Sequence, residues 1–268
     1  MLQSISLCDE IVFESRDDDR ISLTCDDPFI PVDETNLIVR AARALSTQRG
    51  ADIKLFKKIP AKGGLGGGSS NAAVTLLALN RLWRLGREAR DLREVGAQLG
   101  ADVPFFFTGG TAIGTGIGAH LKEAADVFRQ HLLMITPNTS VSTGMAYAML
   151  NAPSLTTSES LSILSSSFTE PFSGDSSQWP LHNDFEGVIF EREPEIRRAK
   201  EALLEAGARN ALLAGSGSSV FGIFNDQAAR DHALDNLRSE TGWRVFACHT
   251  LSRSEYLQAM NRQSDTGA

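Results

Sequence analysis

The sequence predicts two mixed α+β domains joined near residue 122, and three features carry that prediction. The chain has 268 residues, room for two modest cores that share an interface. Its first half alternates strand-like runs with helical patterns around a glycine-rich loop. From about residue 123 the texture changes, and after a Ser/Thr/Pro-rich stretch it reads helix, strand, helix, strand.

Taken in order, residues 3–25 alternate in the manner of two strands around an acidic turn from Arg16 to Arg20. Asp33-Glu34-Thr35-Asn36 then offers capping side chains to LIVRAARALS, whose apolar spacing is helical. ADIKLFKKI reads as a strand stopped by Pro60. After the glycine loop, Ala72, Leu76, Leu79 and Trp83 share one face of a long helix. Residues 88–99 form a shorter helix that ends at Gly100. VPFFF and TAIGTG read as strand material on either side of a Gly-Gly turn, and residues 153–179 as a loop. Beyond it lie a charged helix over 186–206, the glycine-punctuated strand ALLAGSGSSVFGIF, a helix over 226–240 and a last strand, WRVFACHTL.

Hydrophobic residues make up 42% and charged residues 22%, as in a globular chain, and the net charge is −7. That balance argues against a broad basic surface for nucleic acid, while a nucleotide needs only a local positive field. The three cysteines, Cys8, Cys25 and Cys248, are far apart, which argues against a disulfide framework or zinc cluster and fits a reducing cytoplasm. MLQSISLCDEIVF lacks the features of a signal peptide, and no apolar run approaches the ~20 residues of a membrane helix. The five histidines show no ligand spacing, so no metal site built from protein ligands is expected.

The most informative segment runs from Pro60 to Asn80. Five glycines in six positions, Gly63, Gly64, Gly66, Gly67 and Gly68 around Leu65, stand between a strand and a helix. A chain without Cβ atoms turns sharply and brings its N–H groups against a ligand. The following helix adds unpaired donors and the positive end of its dipole, which together make an anion site. Ser69 and Ser70 supply hydroxyls at the same place. A Walker A loop would need Gly-Lys-Ser/Thr where this chain has Gly68-Ser69-Ser70. The dinucleotide fingerprint would need a third glycine where Ser69 stands.

The run Pro60-Ala61-Lys62-Gly63-Gly64-Leu65-Gly66-Gly67-Gly68-Ser69-Ser70-Asn71-Ala72-Ala73 resembles the ATP-binding motif of the GHMP kinases. Its SSNAA ending is similar to the branch that phosphorylates 4-diphosphocytidyl-2-C-methyl-D-erythritol. Further resemblances come in the family's order: DETNLIVRAARAL, LGADVPFFF, Gly116 to Gly118, His182 to Glu186, and Leu213 to Phe221. The resemblance implies a two-domain GHMP kinase fold, with an N-terminal domain like domain 2 of ribosomal protein S5 over 1–122 and a ferredoxin-like domain over 123–268. It implies ATP and Mg²⁺ as cofactors, a small-molecule alcohol as substrate, and neither nucleic acid nor membrane as partner. Asp102 matches the catalytic aspartate, and Lys57 and Asn36 match residues near the nucleotide. Gly215, Ser216 and Gly217 match a glycine loop that closes on phosphates and substrate, while Thr143 and Tyr147 resemble residues at the cytidine end. From the residues alone, Asp102 also fits a turn, Lys57 a solvated strand lysine, and Asn36 a helix cap.

The chain also departs from the family. The family's first strand, with Pro-Ala-Lys-x-Asn, and the turn that carries an aromatic-His pair have no counterpart, because Met1-Leu2-Gln3 resembles the residues just after that turn. Lys62 stands where a small residue is usual, and Ala119 where Glu is usual. The resemblance therefore leads to the expectation that the reading frame continues upstream of Met1. Its alternative is a nucleotide-binding relative impaired in catalysis.

Overall fold

A computed structural model describes residues 1–115, 120–150 and 181–261. The stretch 153–179, Gly116 to Gly118 and Ala119 lie outside them. In the first half, β2 (Glu10–Arg16) and β3 (Ile21–Cys25) flank the acidic turn, yet they do not pair with each other. Strand β4 (Gly50–Phe56) lies between them, antiparallel to β2 and parallel to β3. The reason is the crossover: helix α1 (Leu37–Leu45) carries the chain from β3 back to β4, as parallel pairing requires. Gly50 lets β4 start against the acidic turn, since a Cβ there would lie 2.4 Å from Asp18 O. Ala51, Ile53 and Leu55 face inward at period two. They meet Ile38, Ala42 and Leu45 of α1, Ala72, Leu76 and Leu79 of α2 (Gly67–Leu82), and Leu92 of α3 (Ala89–Leu99).

VPFFF is not a strand. Val103–Phe107 is a 3₁₀ helix in which Pro104 suits the first turn, and Val103 N–H bonds Gly100 O at 3.1 Å. Val103 and Phe105 are buried, so the apolar run serves helix packing instead of a sheet. A second small sheet, in the order β1-β5-β6, joins β1 (Leu2–Gln3), β5 (Thr111–Thr115) and β6 (His120–Glu123).

The second half is built on four antiparallel strands in the order β10-β7-β9-β8. These are β7 (His131–Pro137), β8 (Asn210–Leu213), β9 (Val220–Phe224) and β10 (Trp243–His249). Helix α4 (Thr143–Met149) comes after β7. The expected helix over 186–206 is two helices, α5 (Phe185–Arg192) and α6 (Pro194–Glu205), because Pro194 cannot continue the first. The expected single strand over ALLAGSGSSVFGIF folds back on itself as β8 and β9. Helix α7 (Gln227–Leu237) completes a β-α-β-β-α-β order, which is the ferredoxin-like arrangement. Sequence reading missed β7, a continuous apolar run of the kind a central buried strand needs, and α8 (Arg253–Asn261).

One face of this sheet, with Leu133, Ile135, Leu213, Val220 and Phe224, packs under helices α5 to α7. The other face, with Leu132, Met134, Ile223 and Cys248, receives Ile5, Leu7 and Leu65 from the first half. The leucine of the glycine loop is therefore part of the seam between halves. Helix α8 crosses back over that seam: the Tyr256 hydroxyl donates to Phe106 O at 2.7 Å.

Candidate active site

The glycine loop is anchored from below. The Asp9 side chain is 1% exposed and that of Lys57 7%, and Lys57 Nζ lies 2.6 Å from Asp9 Oδ2. Asp9 Oδ1 accepts the backbone N–H groups of Lys58 at 2.8 Å and Ile59 at 2.7 Å. Asn71 Nδ2 donates to Asp9 Oδ2 at 2.9 Å. Lys57 is thus neither a solvated strand lysine nor aimed outward: its ammonium also donates to Ile59 O at 2.5 Å.

Above that anchor the chain turns through Lys62, Gly64 and Gly66, all with left-handed backbone (φ 57°, 72° and 68°). Lys62 is exposed. Helix α2 begins at Gly67, so Gly67, Gly68, Ser69 and Ser70 are its first turn and not loop. A side chain at Gly67 would stand 2.9 Å from Ile59 Cγ2, which accounts for glycine inside a helix. The first helical bond runs from Ser70 N–H to Gly66 O at 2.9 Å, and the N-cap Gly66 offers no side-chain acceptor. Among the described residues the amides of Gly67, Gly68 and Ser69 have no acceptor, as at any helix start that lacks a cap. The first turn holds no acidic residue, so no carboxylate of the helix itself opposes an anion at the positive end of the dipole.

A second glycine turn docks onto the first. Ser219 N–H donates to Gly63 O at 3.1 Å and Ser218 N–H to Lys62 O at 3.4 Å. A Cβ on Gly64 would sit 2.1 Å from Ala214 O, and one on Gly63 would sit 2.5 Å from Ser219 Oγ. The β8–β9 turn is braced in its own domain. Asn183 Nδ2 donates to Leu213 O at 2.9 Å and Gly215 O at 2.8 Å. Glu186 accepts Leu213 N–H at 2.9 Å and is ion-paired with Lys200 at 2.7 Å. Ser219 Oγ lies 2.7 Å from Thr136 Oγ1, and Ser216 Oγ 3.1 Å from Thr143 Oγ1. Gly215 and Gly217 adopt positive φ (54° and 87°) to make the turn.

Of the remaining candidates only Thr143 is bonded to a glycine turn, and the others are placed by their neighbours. Asp102 heads the 3₁₀ helix and is exposed, and its carboxylate has no hydrogen-bond or ion-pair partner among the described residues. That helix abuts the loop through Phe106, whose ring would stand 2.8 Å from a Cβ on Gly66. Asn36 caps α1: Oδ1 accepts Ile38 N–H at 2.9 Å, and Nδ2 donates to Pro31 O at 2.6 Å. The neighbouring Leu37 sets the start of α1 beside Gly68, 3.6 Å from where its Cβ would be. Tyr147 is 53% exposed on α4, edge-on to the Phe185 ring with centroids 5.0 Å apart. Thr143 is tied to the second glycine turn through Ser216. Sequence reasoning missed Asp9 and Thr136 as parts of the site, and it quoted Asn71 in the matched loop motif without a task. Asn183 and Glu186 stood in a matched motif without an assigned task.

The two halves thus bring together a helix N-terminus, whose first amides have no acceptor among the described residues, and a glycine turn docked on the loop before it. Residues 36–110 match the GHMP kinases N terminal domain, and residues 173–242 match the GHMP kinases C terminal domain. The chain belongs to the GHMP kinase family and is a small-molecule phosphotransferase. It is 39% identical over 256 residues to the 4-diphosphocytidyl-2-C-methyl-D-erythritol kinase of Syntrophotalea carbinolica, covering 94% of this chain and 89% of that protein. It is 40% identical over 255 residues to the same-named kinase of Syntrophus aciditrophicus, again over 94% and 89%. The crystal structure of a 4-(cytidine 5'-diphospho)-2C-methyl-D-erythritol kinase shares the fold with a TM-score of 0.70 at 31% identity, over 92% of this chain and 87% of that one. A homoserine kinase from Cytophaga hutchinsonii shares the fold alone, with a TM-score of 0.71 at 21% identity over 91% and 87%.

Proposed function

We propose that this chain transfers the γ-phosphate of ATP to a hydroxyl of 4-diphosphocytidyl-2-C-methyl-D-erythritol, a step in non-mevalonate isoprenoid biosynthesis. The observation that carries the reading is the set of amides on Gly67, Gly68 and Ser69 at the mouth of α2, without acceptors among the described residues, next to a loop on which a second glycine turn docks. Those amides receive phosphate oxygens, and the hydroxyls of Ser69 and Ser70 add donors beside them. Phosphoryl transfer has a loose transition state, so held geometry and positive field count for more than base strength.

Asp102 accepts the proton of the attacking hydroxyl. As that oxygen bonds to the γ-phosphorus, the bond from phosphorus to the β,γ-bridging oxygen breaks and ADP leaves. An exposed carboxylate without a cation at its side is free to take this proton. Mg²⁺ would be held by the bound phosphates with the hydroxyls of Ser69 and Ser70 beside them, and it would neutralise charge on the transferring group. No cluster of His, Cys, Asp and Glu able to hold a metal by itself is found among the described residues.

Residues 1–122 form the nucleotide half and 123–268 the substrate half, with α8 returning to the former. Gly215, Ser216, Gly217, Thr143 and Tyr147 line the substrate side, where an exposed ring at Tyr147 suits a pyrimidine. The Cys8, Cys25 and Cys248 thiols are free, and no helix among the described residues is long and apolar enough to cross a membrane. Both facts agree with work in the cytoplasm. The test is coupled ADP release with this substrate, beside mevalonate and homoserine as rivals. ADP formation only with the cytidine compound is expected. Turnover with a rival alone would overturn the substrate assignment.

A further inference from the structure

The geometry points to Asp9 as the residue that positions the phosphate seat, acting through Lys57 and Asn71. This inference rests on the reading that the α2 mouth holds the triphosphate.

Asp9 lies just before β2, yet its carboxylate reaches three separate pieces of the loop's foundation. It accepts the N–H groups of Lys58 and Ile59, where β4 ends and the loop begins, at 2.8 and 2.7 Å. It accepts Asn71 Nδ2, one residue past the first turn of α2, at 2.9 Å. It accepts the Lys57 ammonium at 2.6 Å. Four accepted bonds saturate a carboxylate, and no other side-chain type offers this acceptor capacity in so small a volume. One side chain therefore fixes the strand that leads into the loop relative to the helix that leads out of it. That relation aims the amides of Gly67, Gly68 and Ser69.

The charge matters as much as the geometry. A lone buried carboxylate below an anion site would repel the ligand at low local dielectric. Lys57 removes that repulsion. Its ammonium would stand 3.3 Å from a Cβ on Gly67, so it sits directly beneath the first residue of α2. Its bonds nevertheless go to Asp9 and to Ile59 O, at 2.6 and 2.5 Å. Lys57 is thus the counter-ion of a positioning carboxylate and not itself a contact to the nucleotide. The pair should be replaceable by neutral groups that link the same residues with donors and acceptors exchanged.

The experiment compares wild type with D9N, N71A and D9N/K57Q. In D9N the new amide N–H groups face the Lys57 ammonium, which has donors only, so that contact breaks, and the Asn71 amide must turn over to keep its own. In D9N/K57Q the introduced glutamine amide can donate to Ile59 O and accept from the amide introduced in place of the Asp9 carboxylate. Three readouts are taken well below each melting temperature: binding of a non-hydrolysable ATP analogue, separate KM values for ATP and the alcohol, and hydrogen exchange over residues 63–70. In D9N, weakening of analogue binding and ATP KM on the order of 10- to 100-fold is expected, with the alcohol KM within about twofold and faster exchange in the loop. The double variant is expected to recover ATP binding to within about fivefold. N71A removes one of the four bonds while the ion pair persists, so a smaller ATP-specific loss is expected even if D9N fails to fold. Folded D9N or N71A with wild-type analogue affinity would overturn the inference. So would a double variant as weak as D9N, since Lys57 would then act on the nucleotide itself. Absence of analogue binding by wild type would instead overturn the kinase reading, and this inference with it.

Discussion

Replacing Gly64 by alanine tests the docking of the two glycine turns at its tightest point. Gly64 has φ +72°, and its Cβ would lie 2.1 Å from Ala214 O and 2.9 Å from Gly217 O. Holding an L residue in left-handed backbone costs about 1–2 kcal/mol. Forcing a methyl against backbone oxygens costs about 1–3 kcal/mol more. The sum, about 2–5 kcal/mol, exceeds what the two interdomain bonds from Ser218 and Ser219 return at about 1 kcal/mol each. The turns should separate instead of absorbing the methyl. Scanning fluorimetry should show a melting temperature lower by about 4–20 °C, taking about 2–4 °C per kcal/mol for a chain of this size. ATP KM should rise at least about tenfold, because the anion seat loses its second wall. The internal control is G68A, whose Cβ would meet only Leu37 Cδ1 at an ordinary 3.6 Å. That helical position should lose no stability and gain up to about 1 kcal/mol. A G64A protein with wild-type melting temperature and ATP KM would refute the docked arrangement.

The remaining predictions concern the reacting groups, the second turn and pH. D102N should lower kcat by about 10²–10⁴ while ATP KM changes little, measured by coupled ADP release. Unaltered turnover would remove Asp102 from its assigned role. N183A deletes the donor to Leu213 O and Gly215 O, at a cost of about 1–3 kcal/mol to the turn, and should raise the alcohol KM more than that of ATP. Equal KM values in variant and wild type would show that the turn holds without it. Burial, then the neighbouring charge of Arg129, keeps the His249 imidazole below its ordinary value, with Arg230 and His131 acting the same way and Glu255 opposing. The neutral form is therefore the one the fold favours. Its contribution is full above the unfolded value of about 6.5 and is lost as pH falls through that value and the lower folded one. Melting temperature should be flat above about pH 7 and decline below about pH 6.5, and H249N should flatten part of that decline.

What the sequence disclosed depended on how local each cause was. ADIKLFKKI announced a half-buried strand because Ala51, Ile53 and Leu55 alternate with polar or exposed neighbours along seven residues. The loop was legible because left-handed backbone at Gly64 and Gly66 demands glycine. The glycines that follow hid the start of α2, since Gly67 and Gly68 have poor helix propensity, and of the two only Gly67 is required to clear Ile59. VPFFF misled because an apolar run of five carries no period, and packing against α2 and α3 decided its form. The Pro194 break and the β8–β9 reversal were written in local residues, yet Pro and Gly-Ser-Gly also occur inside longer elements. Asp9 was illegible. Its partners stand 48 to 62 residues away, and an isolated acid before a strand has the same local signature as a solvated one.

The central claim is that the open end of α2, closed by the β8–β9 turn, seats a triphosphate. Crystallography of the protein with a non-hydrolysable ATP analogue measures this directly. Density for the phosphates against the amides of Gly67, Gly68 and Ser69, with Gly215 to Gly217 across from them, is the predicted result. An analogue bound elsewhere, with the segment from Gly63 to Ser70 making no contact to it, would contradict the account.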